Sequence, residues 1–160
     1  MNKEEYIFKF PSFIRIFSII FAILALVWSV YYIIFEINEA TQWFKKISPF
    51  IVTFLVIHVL YKNLFGVNSI HIHEKYLQVK FILRKNICIN WNIIKKLEFS
   101  IKLHKSIILT YNENDNEKRV IIPRGIRDII SALNLIAERS PNLELDDFMS
   151  SIISTNSTKE

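Results

Sequence analysis

Apolar positions along the chain follow two different rules. From Ile16 to Phe35, IFSIIFAILALVWSVYYIIF, twenty residues pass without a charge, a proline or a glycine. A helix of that length is about 30 Å long, the thickness of a bilayer's hydrocarbon core. Thirteen of these residues are Ile, Leu, Val or Phe, which together favour insertion by roughly 5 kcal/mol. A second run, ISPFIVTFLVIHVLYKNLFG from Ile47 to Gly66, is uncharged as far as Tyr61 and contains His58. Lys62 near its end has a stem long enough to snorkel to an interface. Ser48 is placed to cap this helix, Pro49 suits its first turn and Gly66 its stop; Pro11-Ser12 opens the first helix in a similar way. The pattern predicts transmembrane helices over 16–35 and 47–66, joined through 36–46 into a hairpin, with 1–15 left as a cytoplasmic N-terminal segment. A cleaved signal peptide has a shorter apolar region ending at small residues. Here EINEATQWFKK follows, so the first run reads as a retained span.

Beyond Gly66 the rule changes to alternation, the mark of a half-buried antiparallel sheet. Ile70 and Ile72 alternate with His71 and His73, and Leu77, Val79, Phe81 and Leu83 with Gln78, Lys80 and Ile82. Ile87, Ile89 and Trp91 alternate with Cys88 and Asn90, and Leu97, Phe99, Ile101 and Leu103 with Glu98, Ser100, Lys102 and His104. SIILTY and KRVII supply two more strands around the polar turn NENDNE. A two-residue turn at Glu74-Lys75 sets the first register: His73 faces Tyr76, Ile72 faces Leu77, His71 faces Gln78 and Ile70 faces Val79. After Pro123-Arg124-Gly125 the period becomes helical, with Ile126, Ile129, Ile130, Leu133, Ile136 and Ala137 on one stripe that ends at Pro141. The expected architecture is an α+β membrane protein: a helical hairpin, then six or seven antiparallel strands and an amphipathic helix over 68–141. Residues 142–160 form an acidic, polar tail in which LELDDFMSSII can add a short helix and Ser154 onward is disordered.

This order resembles the bacterial pleckstrin-homology-like (PH-like) domain family in the arrangement where two transmembrane helices precede the domain. The resemblance is carried by YLQVKF, a turn, NICINWNIIKKLEF, two further strands and PRGIRDIISALNLIAERS. Trp91, Ile94 and Leu97 look like the family's junction between an aromatic strand end and the next strand. Glu74-Lys75 stands where a glycine is common. The resemblance implies a β-sandwich or barrel closed by the terminal helix, with protein contacts or assembly as its role and, in some two-helix relatives, immunity to membrane-active peptides. Lipid recognition by the eukaryotic namesakes does not carry over, because it uses basic residues in a long first loop and here that loop is Glu74-Lys75.

Charge adds orientation. The formal net charge of +5 is uneven: residues 68–110 hold eight Lys/Arg against two acids, whereas 111–160 hold six against nine. Lys3, Lys9 and Arg15 precede the first span and Lys62, Lys75, Lys80, Arg84 and Lys85 follow the second, while the connection has Lys45 and Lys46 alone. By the positive-inside rule both termini are expected to be cytoplasmic, and the expected location is the inner, cytoplasmic membrane. Lys62, Lys75, Lys80, Arg84 and Lys85 become candidate contacts to anionic headgroups. Ser18, Ala22, Ala25 and Ser29 make a small-residue stripe at spacings of 4, 3 and 4, which lets another helix approach closely; the second span or another protomer could supply it.

Chemistry is thin. Two glycines leave no room for a phosphate-cradling loop, and the lone Cys88 forbids an intrachain disulfide or a thiolate zinc cluster and reads as a small buried core residue. No serine sits in a nucleophile elbow, NENDNE lacks the glycine and distal glutamate of a calcium loop, and no nucleic-acid motif accompanies the basic segment. His71 and His73 share a strand face, but zinc needs at least one more protein ligand. The predicted neighbours are Tyr76, Gln78 and Lys80, and His104 is the one histidine placed to complete a site. The expectation is a non-catalytic membrane-anchored interaction protein without cofactor or metal, bound to the bilayer and to a protein partner or the inner leaflet. The competing reading is a metal-handling or enzymatic membrane protein using His71, His73 or His58.

Overall fold

The computed structural model describes residues 5–38, 41–100, 106–114 and 116–157, the last four of these through their backbone alone. The chain forms two compact units: Ser12–Gly66, and the residues up to Pro11 together with those from Val67 onward. The protein is α+β, with two long apolar helices and two four-stranded sheets.

In the first unit, α1 (Ser12–Phe35) and α2 (Trp43–Phe65) are antiparallel. Both are long and apolar enough to cross a membrane. Ala22 and Ser29 of α1 are buried, whereas Phe17, Phe21 and Leu24 are exposed. The Ser29 hydroxyl donates to the Pro49 carbonyl at 2.5 Å and lies 2.9 Å from Thr53 Oγ1. Toward the other end, Asn63 Nδ2 donates to Ser18 Oγ at 3.2 Å and to the Val59 carbonyl at 2.9 Å.

The second helix departs from the sequence expectation at its start. It begins at Trp43 rather than Ile47, so Ser48 is not its cap and Pro49 lies inside it. The Thr41 hydroxyl closes the reversal locally, accepting from the Asn38 N–H at 3.0 Å and donating to Asn38 Oδ1 at 2.9 Å, so the helix can begin two residues later. Pro49 therefore leaves the Lys45 carbonyl without its intrahelical donor. At the far end the Gly66 N–H returns to the Lys62 carbonyl at 3.0 Å, and a Cβ on Gly66 would meet that same oxygen.

The second unit opens with an element that the alternation does not announce. Residues 6–9, placed above in a cytoplasmic N-terminal segment, form β1 (Tyr6–Lys9), antiparallel to β2 (Val67–Ile72) with Tyr6 opposite Ile72 and Lys9 opposite Ser69. The helical hairpin is thus an insertion between two neighbouring strands. β3 (Tyr76–Phe81) and β4 (Ile87–Asn90) complete sheet A in the order β1-β2-β3-β4. Ile70 pairs with Val79, His71 with Gln78 and Ile72 with Leu77, and the His73 N–H bonds the Tyr76 carbonyl at 3.0 Å, the register set by the two-residue turn.

After a single 3-10 turn at Trp91–Ile93 the chain enters sheet B, built from β5 (Ile94–Ser100), β6 (Ser106–Glu113) and β7 (Asn116–Ile122). β8 (Glu144–Leu145) lies parallel to β5, giving the order β7-β6-β5-β8. Among the described residues there are eight strands, not six or seven, and the two sheets remain separate, so no closed barrel forms. Ile101 to His104 lie outside the described residues. One core joins the sheets: Ile70, Ile72, Leu77, Val79 and Ile89 from sheet A meet Ile94, Leu97, Leu109 and Ile122 from sheet B, all fully buried.

The helix α3 (Ile129–Arg139) starts three residues later than its stripe suggests, after Asp128 in a left-handed conformation. Its buried face is Ala132, Leu133 and Ile136, while Ile130 is exposed. The tail is ordered further than expected: α4 (Asp147–Ser157) runs past Ser154, and Met149 is buried in the core. Asp146 makes this possible by accepting from the N–H of Phe99 at 2.6 Å and of Met149 at 2.7 Å, capping the helix and fastening it to β5.

Candidate functional site

Sheet A gathers chemistry at both of its ends. Side chains alternate across a strand, so Ile70 and Ile72 point to the core while Ser69, His71 and His73 share the outer face. Ile7 lies opposite His71 on that face, and Glu5, two residues earlier, continues the row toward His73. Glu5 Oε1 lies 2.8 Å from His71 Nδ1 and 3.6 Å from His73 Nε2. One ligand atom from each of the three residues falls within 4.8 Å of the other two. His71 Nε2 is 3.1 Å from Ser69 Oγ.

The surroundings fix this cluster. The His73 ring lies 4.4 Å from that of Tyr76, and the buried Trp91 indole N–H is shared between the carbonyls of His73 and Glu74 at 3.2 and 3.0 Å. His71 is 6% exposed, although the alternation puts it on the polar face of the first hairpin: β1 brings Glu5 over it. The hydrogen bond from His71 holds the Glu5 carboxyl below the usual carboxylate range; burial opposes it, and the charges of His73, His71 and Lys80 each add a smaller lowering. His73 Nε2 is buried and has no hydrogen-bond partner.

At the other end of the sheet, Val67 pairs with Phe81, so the β3–β4 tip begins where α2 hands over to β2. β1 leaves at this same end, with the Phe10 N–H on the Asn68 carbonyl at 3.0 Å just before α1. The tip is amphiphilic: Ile82, Leu83, Arg84 and Lys85 are all exposed. Leu83 was expected to continue the inward row of β3, but the strand ends at Phe81 and leaves Leu83 60% exposed. The Arg84 guanidinium sits over the Phe81 ring at 5.2 Å.

The remaining candidates are dispersed. Lys75 is exposed in the β2–β3 turn beside the histidines, about 20 Å along the strands from Arg84 and Lys85. Lys80 is half-buried opposite Ser69, and Lys62 is exposed in the last turn of α2. His58 is an exposed residue of α2, in the other unit. The stripe Ser18, Ala22, Ala25 and Ser29 has Ser18 and Ser29 bonded to α2. Cys88 is exposed rather than in the core, because it shares the outward side of β4 with Asn90 while Ile89 takes the inward one. His104 lies outside the described residues.

The fold and site define an α+β protein whose apolar helical hairpin is spliced into the edge of a two-sheet domain. Compared with family models, curated proteins and solved structures, the chain matches none.

Proposed function

We infer that this is a non-catalytic, membrane-anchored module of the PH-like kind, with both termini cytoplasmic and the β3–β4 tip resting on the anionic inner leaflet. One observation carries the reading: by register, the exposed Ile82-Leu83-Arg84-Lys85 tip occupies the same end of sheet A at which the chain enters and leaves the two apolar helices. The links are short, two residues between β1 and α1 and one between α2 and β2, so each spans at most about 7 Å. At 24 and 23 residues the helices are roughly 35 Å long, enough for the hydrocarbon core. Ile82 and Leu83 then enter the headgroup region while Arg84 and Lys85 meet lipid phosphate, at about 1 kcal/mol per basic residue. Lys75, at the far turn, takes no part.

The exposed Cys88 is the chain's single cysteine and makes the test direct. A membrane-impermeant maleimide added to intact cells should leave Cys88 unmodified and label it after permeabilisation. Labelling in intact cells would reverse the orientation. A Leu83→Cys probe in a Cys88→Ser background, carrying an environment-sensitive fluorophore in anionic nanodiscs, should emit as in an apolar medium; water-like emission sinks the leaflet contact.

A further inference from the structure

The cluster at the end of sheet A away from the helices has the donors, the support and the gap of a metal site. We propose that Glu5, His71 and His73 bind one divalent transition-metal ion of the zinc class, which fastens the start of the chain to β2. Two imidazole nitrogens and a carboxylate oxygen are a borderline donor set that suits zinc or cobalt rather than calcium or magnesium, which require oxygen ligands. Ligand atoms about 2.0–2.1 Å from such an ion stand roughly 3.3 Å apart in a tetrahedron. The present Glu5 separations of 2.8 and 3.6 Å straddle that value, and the two imidazole nitrogens, which lie within 4.8 Å of each other, close by a small rotation of the half-buried His73 ring.

Three further features fit. Ser69 Oγ holds the second nitrogen of His71, the outer hydrogen bond that orients a ligating imidazole and leaves Nδ1 for the ion. His73 Nε2 is buried without a hydrogen-bond partner yet faces the Glu5 carboxylate, and an ion between them supplies the missing contact. Glu5 is 40% exposed, so a fourth position opens to water or to a donor from another molecule. Lys80, opposite Ser69, adds positive charge near Glu5 and lowers the affinity without blocking the donors. The site does not depend on the leaflet contact, since it lies at the other end of the sheet.

The experiment uses the full chain in nanodiscs, purified without a polyhistidine tag, stripped with chelator and titrated with Co²⁺. One Co²⁺ per chain should bind, with ligand-field absorption bands that Zn²⁺ abolishes by displacement. His73→Ala leaves the backbone bonds of the turn in place and Glu5→Gln keeps the side chain's size. Each should weaken binding by more than the roughly 10- to 100-fold that loss of a hydrogen bond behind a ligand costs. Absence of the bands in the unmodified protein, or bands that survive either substitution, overturns the site.

Discussion

The helical hairpin and the β domain use the same apolar residue types in opposite directions. In the β domain Ile70, Leu77, Leu97 and Leu109 are fully buried, and the exposed positions around them are mostly polar. In the hairpin the buried residues are Arg15, Ala22, Ser29, Pro49 and Val56, while Phe13, Phe17, Phe21, Leu24, Phe50 and Phe54 are outside. A monomeric protein in water rarely exposes an apolar patch above a few hundred Å², and the hairpin is apolar nearly all round. Small and polar contacts hold the helices together, as in membranes, where lipid tails are as apolar as leucine and side-chain burial supplies no drive. Burial is thus informative only against a stated solvent: the same leucine is core in one region and surface in the other.

Leucine-to-alanine changes break this comparison most sharply. Leu97→Ala, at a site with no exposure, should lower domain stability by about 2–5 kcal/mol through lost burial and a residual cavity. Chemical denaturation of the full chain in a Trp28→Phe, Trp43→Phe background, which leaves Trp91 as the one tryptophan, checks it by fluorescence. Leu24→Ala, 63% exposed, should leave that transition unmoved. One aspartate, Leu24→Asp, costs about 3 kcal/mol in membrane insertion, less than the roughly 5 that favour the span, whereas Phe21→Asp with Leu24→Asp costs about 6, visible as a shift of the protein out of the membrane fraction. If the chain carrying both aspartates inserted as well as the native one, α1 would not face lipid.

A smaller effect sharpens the comparison inside the hairpin. Ser29→Ala removes the hydroxyl bonded to Pro49 and Thr53, and interhelical hydrogen bonds of this type average about 0.6 kcal/mol in a membrane. The expected outcome is a slight loss of helix association, measured by intrachain cross-linking efficiency, with the β domain's denaturation curve unchanged. A shift in that curve would mean the two units fold as one.

The sequence was most legible where structure is local. Alternation around a two-residue turn fixed the pairs Ile70–Val79 and Ile72–Leu77, because a slip of one residue would turn every isoleucine to water. β1 was invisible for the converse reason. Tyr6–Lys9 is too short to show alternation, and its partner lies some sixty residues away across the hairpin. With β1 went Glu5, the third member of the histidine cluster, and the burial of His71. Cys88 teaches a different lesson: its alternation with Ile87 and Ile89 already placed it with Asn90 on the outer side, and the general tendency of cysteine to be buried should have yielded to that local pattern. At Pro49 the cap signal was real chemistry in the wrong place, since Asn38 and Thr41 close the reversal earlier.

The smallest expected effect concerns Glu5, whose end of the domain lacks the apolar cover of Leu97. Its carboxyl titrates lower in the folded chain than in the unfolded one, because His71 donates to the ionised form and the neighbouring positive charges favour it. A carboxyl depressed on folding stabilises the fold above its unfolded pKa, and that contribution is lost as pH falls through the folded value. In chelator-treated protein, the stability difference between native and Glu5→Gln chains should therefore be largest above the ordinary glutamate range and vanish below it. Because Glu5 is open to solvent, the difference should also shrink as salt is raised. A difference that persists unchanged into strong acid would mean that Glu5 holds β1 by packing rather than by its charge, and that the start of the chain is anchored by Phe8 and the backbone ladder alone.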